Sequence, residues 1–429
     1  MAEPAQLPPT ALAGVKVLDL SRVLAGPWST QILGDLGADV IKIESLQGDD
    51  TRQWGPPFTQ AVSPDALAEA VPATSARGDS AYYLCANRNK RSVAVDLATA
   101  EGQALLQQLA LKADVLIENF KLNGLKKYGL DAARVRQLNP KLVYCSITGF
   151  GQTGPYAERP GYDFVAQAMG GLMSITGTPA SGPLRVGVAV TDLATGLYAT
   201  IAILAALRHA ERTGVGQHID VALLDTQVAM LANQAANYLV SGAAPGLIGN
   251  THPTIVPYQV FATQDLPLVI AVGNDGQFRA LCEILKHPEW AQDARFASNR
   301  QRVTHRDRLV ALLQAELLTQ SSQHWLPLLL AQQVPAGPVN GLNEVFNDPQ
   351  VKARGLVQTL KRAGESLPGV AFPVKLSATP ARAERAPPRL AQHTQEVLAD
   401  WLGLSAAEIT RLIAKKAIMN APIADNAAE

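Results

Sequence analysis

GVKVLDLSRVLAGPWSTQILGDLGADVIKIE, residues 14–44, is the stretch whose reading decides the fold. Val15 to Leu20 has the apolar, β-branched character of a strand and stops at Ser21-Arg22. Gly26-Pro27 opens a helix that runs through Leu36, because proline is tolerated in a first helical turn. Gly37-Ala38-Asp39 then turns the chain into a second strand, Val40 to Glu44. Strand, helix and strand in so short a span form a βαβ unit, the repeat from which parallel sheets are built. No GxGxxG lies in this unit, so the nicotinamide-type fingerprint is missing from the place where it would act.

The same alternation continues outward. After a polar, proline-containing insertion between Ser45 and Ser80, strands are expected at Ser92–Leu97, Asp114–Phe120 and Lys141–Thr148, with helices from about Thr99 to Leu111 and Asp131 to Leu138. The first 210 or so residues therefore read as an open α/β, Rossmann-like domain with a parallel sheet. The one literal GxGxxG, Gly149 to Gly154, follows a strand, but Pro155 and Pro160 forbid an uninterrupted helix behind it. A glycine-rich active-site loop fits better than a phosphate cradle.

Pro183 to Arg208 changes period from two to between three and four. Val186 to Val190 reads as a strand, Thr191-Asp192 as the turn, and Leu193, Leu197, Ile201, Leu204 and Arg208 as one helix face. Asp192 then stands at the N-cap, where the positive end of the helix dipole favours an ionised carboxylate. Ala194, Gly196, Ala199 and Ala202 leave room beside it for another backbone or a ligand.

Residues 1–225 are expected to form the large α/β domain, 226–340 a smaller α+β domain, and 341–429 a segment returning to the large one. The small domain reads as a hairpin-like pair, VPYQVFATQD and LPLVIAVG, followed by helices at about Gln277–Leu285 and Arg306–Leu317. Farther on come an extended, proline-rich run (Leu367 to Pro388), a helix His393–Leu402, and a capping box at Ser405-Ala-Ala-Glu408. The tail after Asn420 is expected to fray.

The 429 residues carry 37 basic and 37 acidic side chains, which argues against a nucleic-acid binder acting through a field over the whole molecule. An anionic ligand would have to be met by a local basic cluster. Cys85, Cys145 and Cys282 lie far apart without a CxxC, so neither a disulfide framework nor a metal site is expected, and a reducing compartment is. The N-terminal residues 1–14 lack the pattern of a secretory signal and the arginines of a mitochondrial transit peptide, and no membrane span is expected, which makes cytoplasm the default.

All seven histidines lie at or beyond His209, so the α/β domain cannot supply an imidazole base from its first 208 residues. No HExxH motif or paired His/Cys cluster supports metal catalysis. Basic residues gather at Arg88 to Arg91 and at Lys121, Lys126 and Lys127, flanking successive strands. That placement suits an anionic ligand bound beyond the ends of a parallel sheet.

The blocks at residues 14–44, NRNKRSVAVDL, ADVLIENF, NPKLVYCSITGFGQTGP, GYDFVAQAMGG, VTDLATG, VPAGPVN and LAQHT, in this order, resemble the class III CoA-transferase family. That family also includes formyl-CoA and carnitine CoA-transferases and the α-methylacyl-CoA racemases. GDDTRQWGPPF, the NRNK run, VAVTDLATGLYA and TIVPYQVF are most similar to its succinyl-CoA-dependent dicarboxylate branch, which includes succinate–hydroxymethylglutarate CoA-transferase. The resemblance implies an interlocked homodimer of Rossmann-like subunits and acyl-CoA as substrate, with no tightly bound cofactor, no metal, and no nucleic-acid or membrane partner.

It places the nucleophilic aspartate on Asp192. It places CoA-contacting residues on Leu24 and Ala25, on Val95, Asp96, Leu97 and Ala98, on Asn119, Phe120 and Lys121, on Lys127, and on Tyr162 and Asp163. Where relatives carry an arginine after the second strand this chain has Ser45, so Arg88 or Arg91 is expected to supply the missing contact. The glycine-rich lid of formyl-CoA transferases is also missing, with THPTIVPYQ in its place.

A carboxylate nucleophile conserves the thioester's free energy as a mixed anhydride and then an aspartyl-CoA thioester, whereas a serine ester would dissipate part of it. Backbone N–H groups of Gly170-Gly171 or of the Gly149–Gly154 loop are candidate oxyanion donors. A distal carboxylate needs a cation, for which Arg185 is the first candidate and Arg52 and Arg22 the alternatives. The racemase alternative requires a histidine before the aspartate of a GHD motif, and here the motif reads Gly161-Tyr162-Asp163. A non-catalytic CoA-binding protein is the other alternative, and an intact Asp192 argues against it.

Overall fold

The computed structural model describes residues 9–59 and 78–421. The first eight residues, the middle of the insertion expected between Ser45 and Ser80, and all but the start of the tail lie outside the described residues. Two compact units result: Met1–Leu172 with Val186–Ala235 and Ala353–Glu429, and Met173–Arg185 with Ala236–Lys352.

The larger unit is built on a seven-stranded sheet. Its chain order opens with β1 (Lys16–Asp19), α1 (Ala25–Asp35), β2 (Asp39–Glu44), α2 (Ala81–Leu84), β3 (Lys90–Val95), α3 (Ala100–Lys112), β4 (Val115–Glu118), α4 (Ala132–Leu138) and β5 (Val143–Thr148). In space these strands run β3-β2-β1-β4-β5, all parallel. The parallel strand His218–Ala222 borders β5, and the short Ile418–Met419 pairs antiparallel with β3 at the other edge. This is the doubly wound order in which the direction of winding reverses between β1 and β4.

Period-two alternation explains why both faces are covered. Leu18, Ile41, Val93 and Leu116 face one core with Leu106 and Leu109 of α3 and Val397, Leu398 and Trp401 of the helix Thr394–Leu402. Val17, Val40, Val115 and Val143 face the other with Leu33 of α1 and with Ala199, Ile203 and Leu207. Those last three belong to α6 (Val190–Thr213), which follows α5 (Asp163–Met169). By length and apolarity alone α6 could cross a membrane, but half of that stretch is buried, and its apolar positions are those of a core helix.

One expected strand is absent. Val186–Val190 carries no ladder among the described residues, because the sheet edge beside β5 is taken by His218–Ala222. Its backbone is tethered by a side chain instead, Val186 N–H donating to Gln167 Oε1 (3.0 Å).

In the second unit, Tyr258–Phe261, Leu268–Ala271 and Ala336–Pro338 form an antiparallel sheet around Phe261, Leu268, Phe278 and Leu281, with helices at Asp275–Ile284 and Arg306–Leu317. Val357–Arg362 and Glu365–Val370 form a hairpin in the larger unit, and Ser405 and Glu408 make the reciprocal capping box.

Candidate active site

Where the winding reverses, loops leaving β1 and β4 diverge and open a cleft, here about 660 Å³ and wholly within the larger unit. Arg22 to Ala25 after β1, Asn119 to Gly124 with Lys127 and Tyr128 after β4, Ile147 to Gly149 at the end of β5, Ala157 to Tyr162, Leu223 and Asp192 line it. Arg22, Lys121, Lys127 and Arg159 line it together with Glu158 and Asp192, a cationic excess suited to a polyanion.

The β1 loop is held by buried charge. Lys42 Nζ, wholly buried, donates to Ser21 O (3.1 Å) and to Asp49 Oδ2 (2.9 Å), and Asp49 accepts the N–H of Val23. Burial alone would raise the Asp49 carboxyl, but Lys42 and the bonds from Thr51 overcome it and hold it at about 2. Lys90 Nζ reaches Asp19 Oδ2 and Pro27 O from the next strand but one. Asn119 clamps the loop from the β4 side, accepting Arg22 N–H and donating to Arg22 O. This scaffold keeps Val23 at φ 70°, a conformation a β-branched residue adopts only when its surroundings impose it. The adjoining α1 begins at Ala25 with no side-chain cap, so its positive end is open where Leu24 and Ala25 meet the cleft.

Asp192 enters from α6. It is not the N-cap: Ala189 is, without a side-chain bond, and Asp192 sits in the first turn. The capping carboxylate comes from another helix, Asp163 Oδ1 accepting Thr191 N–H (2.8 Å) and Asp192 N–H (3.3 Å). Burial first, and then the neighbouring Asp163, push the Asp192 carboxyl up to about 7, so it is not held ionised as its expected cap position would have required. At neutral pH it is balanced between acid and carboxylate. The ionised form grows as pH rises through 7.

Several expected binding residues are elsewhere. Arg88 is buried against Asp35 (2.8 and 2.6 Å) and Arg91 against Asp39, Glu396 and Asp400, so neither reaches the cleft. Both flank the amino end of β3, opposite the strand ends that open the cleft. Arg52 forks onto Glu44, bonds Asp79 and Tyr83 Oη, and is committed to these partners rather than to a substrate carboxylate. Val95, Asp96, Leu97 and Ala98 close β3, two strands from β1, and are not in the cleft lining; Asp96 N–H bonds Ala417 O. Arg185 is exposed and belongs to the second unit.

Leu24, Ala25, Asn119, Phe120, Lys121, Lys127, Tyr162 and Asp192 do come together in the cleft, whereas Asp163 is buried behind it. Arg159 was missed by sequence reasoning. Set between Glu158 and Pro160 it looks like an ordinary turn residue, yet it lines the cleft with its guanidinium 3.8 Å from the Tyr156 ring centroid.

Of the glycine loops, Gly149 lines the cleft and Gly170 packs on Gln227 instead. A Cβ on Gly161 would stand 2.4 Å from the Gly149 Cα, so the two loops touch backbone to backbone. Gly161→Ala must push them apart and carry Tyr162 with them. We expect kcat/KM to fall about 100-fold, the usual scale for misplacing a reacting group by an ångström, with the far-ultraviolet circular dichroism unchanged.

Comparison with known proteins shows the family of the chain. The profile of CoA-transferase family III matches residues 12–394. Succinate–glutarate CoA-transferase of Agrobacterium fabrum (strain C58) is 52% identical over 399 residues, 92% of this chain and 96% of that protein. Succinyl-CoA:glutarate CoA-transferase of Homo sapiens is 43% identical over 406 residues, 94% of this chain and 88% of that protein. The crystal structure of a CaiB/BaiF family protein from Brucella suis superposes with a TM-score of 0.80 at 48% identity, covering 92% of this chain and 100% of that one. Matched along nearly its whole length to proteins that move coenzyme A, this chain belongs to CoA-transferase family III and is an enzyme of CoA transfer.

Proposed function

We propose that the protein moves CoA from succinyl-CoA to a dicarboxylic acid such as glutarate or hydroxymethylglutarate through a thioester on Asp192. The observation that carries this reading is a buried carboxyl with a pKa near 7 on the wall of a cation-lined cleft, in a chain similar to succinyl-CoA:glutarate CoA-transferases. Asp192 carboxylate attacks the acyl carbon, forming a mixed anhydride and releasing CoA thiolate. The thiolate attacks Asp192 Cγ, leaving aspartyl-CoA and free succinate. The acceptor carboxylate attacks the same Cγ, again expelling thiolate, which then takes the acceptor's acyl carbon and returns Asp192 to its carboxylate. Every bond formed is balanced by one broken, and no water takes part.

A carboxylate with a pKa near 7 is a stronger nucleophile than an ordinary aspartate, which helps the first attack. Lys121, Lys127 and Arg159 are proposed to hold the CoA phosphates, and the open end of α1 at Leu24 and Ala25, with Gly149 N–H, to meet the oxyanions. Tyr162, 63% exposed, offers an aromatic face to the coenzyme. Arg159→Ala is expected to raise KM for succinyl-CoA about tenfold with little change in kcat, and the deficit should shrink as added salt screens the wild-type site.

Arg185, seven residues before Asp192, is proposed for the distal carboxylate of the dicarboxylate. If Arg185→Ala leaves KM for succinate unchanged, the role passes to Arg22 on the cleft wall. A homodimer is proposed from the family resemblance; Phe164 of α5 with Leu197 and Ile201 of α6, large apolar side chains left exposed, support it. Three free cysteines suit a cytoplasmic setting. Assaying succinyl-CoA against a panel of carboxylates tests the assignment: transfer to dicarboxylates supports it, and hydrolysis alone or exclusive use of monocarboxylates would end it.

A further inference from the structure

Around the start of α6 the structure places a connected set of buried polar side chains that no step of the transfer uses. Asp163 opens α5 and is buried, with its Oδ1 turned onto the Thr191 and Asp192 N–H groups. Its other oxygen accepts Gln167 Nε2 (2.7 Å), and Gln167 Oε1 in turn accepts Val186 N–H. Thr191 Oγ1 donates to Gln227 Oε1, and both glutamines are wholly buried. The approach to the nucleophile is thus laced to α5 and to the helix Leu223–Met230 by side chains, in place of the strand pairing that Val186–Val190 lacks.

The consequence is electrostatic as well as mechanical. Two N–H groups at the positive end of a helix are the natural stabilisers of an aspartate in its first turn. Here they are occupied by a second carboxylate. We propose that Asp163 is a positioning residue for Asp192: it fixes the first turn of α6 and, by taking that turn's N–H donors for its own charge, withholds them from the nucleophile. The inference rests on Asp192 being the nucleophile.

Other groups facing this end of α6 do not supply the same effect. Tyr82 of α2 is neutral, its phenol pushed up to about 12 by burial and by Asp192 and Asp163. Gly196 lies against Ala25 O and Trp28 of α1, whose only ionisable side chain, Asp35, is at its far end and paired with Arg88. Asp225 of Leu223–Met230 is exposed. In the bordering strands Cys145 is buried and neutral, His218 bonds Ser146, and Asp220 accepts Gln152 N–H. The cleft-lining charges Arg22, Lys121, Lys127, Arg159 and Glu158 are exposed to solvent, Arg22 paired with Asp50.

Asp163→Asn tests this, because an amide oxygen can still cap Thr191 while the charge is gone. The Asp192 carboxyl is followed by 13C NMR on protein labelled at aspartate Cγ, assigned against Asp192→Asn, alongside the pH profile of kcat/KM with succinyl-CoA. The expected result is a wild-type inflection near 7 in both readouts and, in Asp163→Asn, an inflection moved clearly to lower pH in both. Asp163→Asn also strands one bond of Gln167. In Asp163→Asn/Gln167→Glu the new carboxylate can accept both the N–H of the introduced side-chain amide and Val186 N–H, which should restore thermal stability and move the inflection back upward. An NMR inflection unchanged in Asp163→Asn, with only the melting temperature lowered, would overturn the proposal and leave Asp163 a structural cap. Because the NMR titration needs no turnover, it stands apart from the transferase reading: an unchanged Asp192 titration refutes the positioning role, whereas a shifted one with no transfer refutes the reaction.

Discussion

Asp192→Asn is expected to abolish CoA transfer, by at least about 10⁴-fold, while making the protein more stable. The two effects share a cause. An aspartate whose carboxyl titrates near 7 in the folded protein, against 3.8 for the free side chain, is a group the fold disfavours when ionised. The sign follows from proton binding. Between pH about 4 and 7 the folded protein holds a proton that the unfolded chain releases, so stability is full below the unfolded value and falls as pH rises through 7. The difference of about three pH units, at about 1.4 kcal/mol each, sets a ceiling of roughly 4 kcal/mol above pH 7. An isosteric asparagine escapes that penalty, so its melting temperature should exceed wild type by several degrees at pH 8 and by little at pH 4. Differential scanning fluorimetry across that range checks the trend, and a variant less stable than wild type at pH 8 would contradict it.

Lys42→Met is expected to be the most damaging substitution outside the cleft. It leaves Asp49, which the fold holds at about 2 by pairing it with Lys42, buried and unpaired, and it releases the tether on Ser21 O. Losing one partner of a buried ion pair costs about 3–5 kcal/mol. The Ser21–Ala25 loop should loosen with it, raising KM for succinyl-CoA. Lys42→Met/Asp49→Leu removes both charges and should recover part of the stability but not the KM, since Val23 N–H then loses its acceptor. Urea unfolding of the single and double variants gives the coupling directly, and strict additivity would show that the pair does not hold the loop.

Much of the fold is legible in the sequence because β1, α1 and β2 follow one another in an unbroken period, and because short apolar runs, Val93–Val95, Val115–Ile117 and Val143–Cys145, mark β3, β4 and β5, buried on both faces. The strand expected at Val186–Val190 has the right composition but no neighbour, and composition does not reveal which sheet edge is already occupied. The same limit applies to the site. VTDLATG locates Asp192, yet the pattern cannot separate a cap from a first-turn residue when the true cap, Asp163, comes from a helix earlier in the chain. Arg88 and Arg91 look like ligand cations because their acids, Asp35, Asp39, Glu396 and Asp400, lie dozens to hundreds of residues away. Arg159 looks idle for the converse reason: its neighbours in sequence, Glu158 and Pro160, suggest a surface turn, and only the close approach of Gly149 to Gly161 shows that this turn borders the cleft.

The most direct test of the account is to mix the protein with succinyl-CoA in the absence of any acceptor acid, quench in acid, digest with pepsin and weigh the peptides that contain Asp192. The account predicts a peptide heavier by one CoA less one water, fragmenting at Asp192, which disappears when glutarate is added before the quench. CoA attached to any other residue, or a quenched protein that carries none while transferring CoA at full rate, would contradict it.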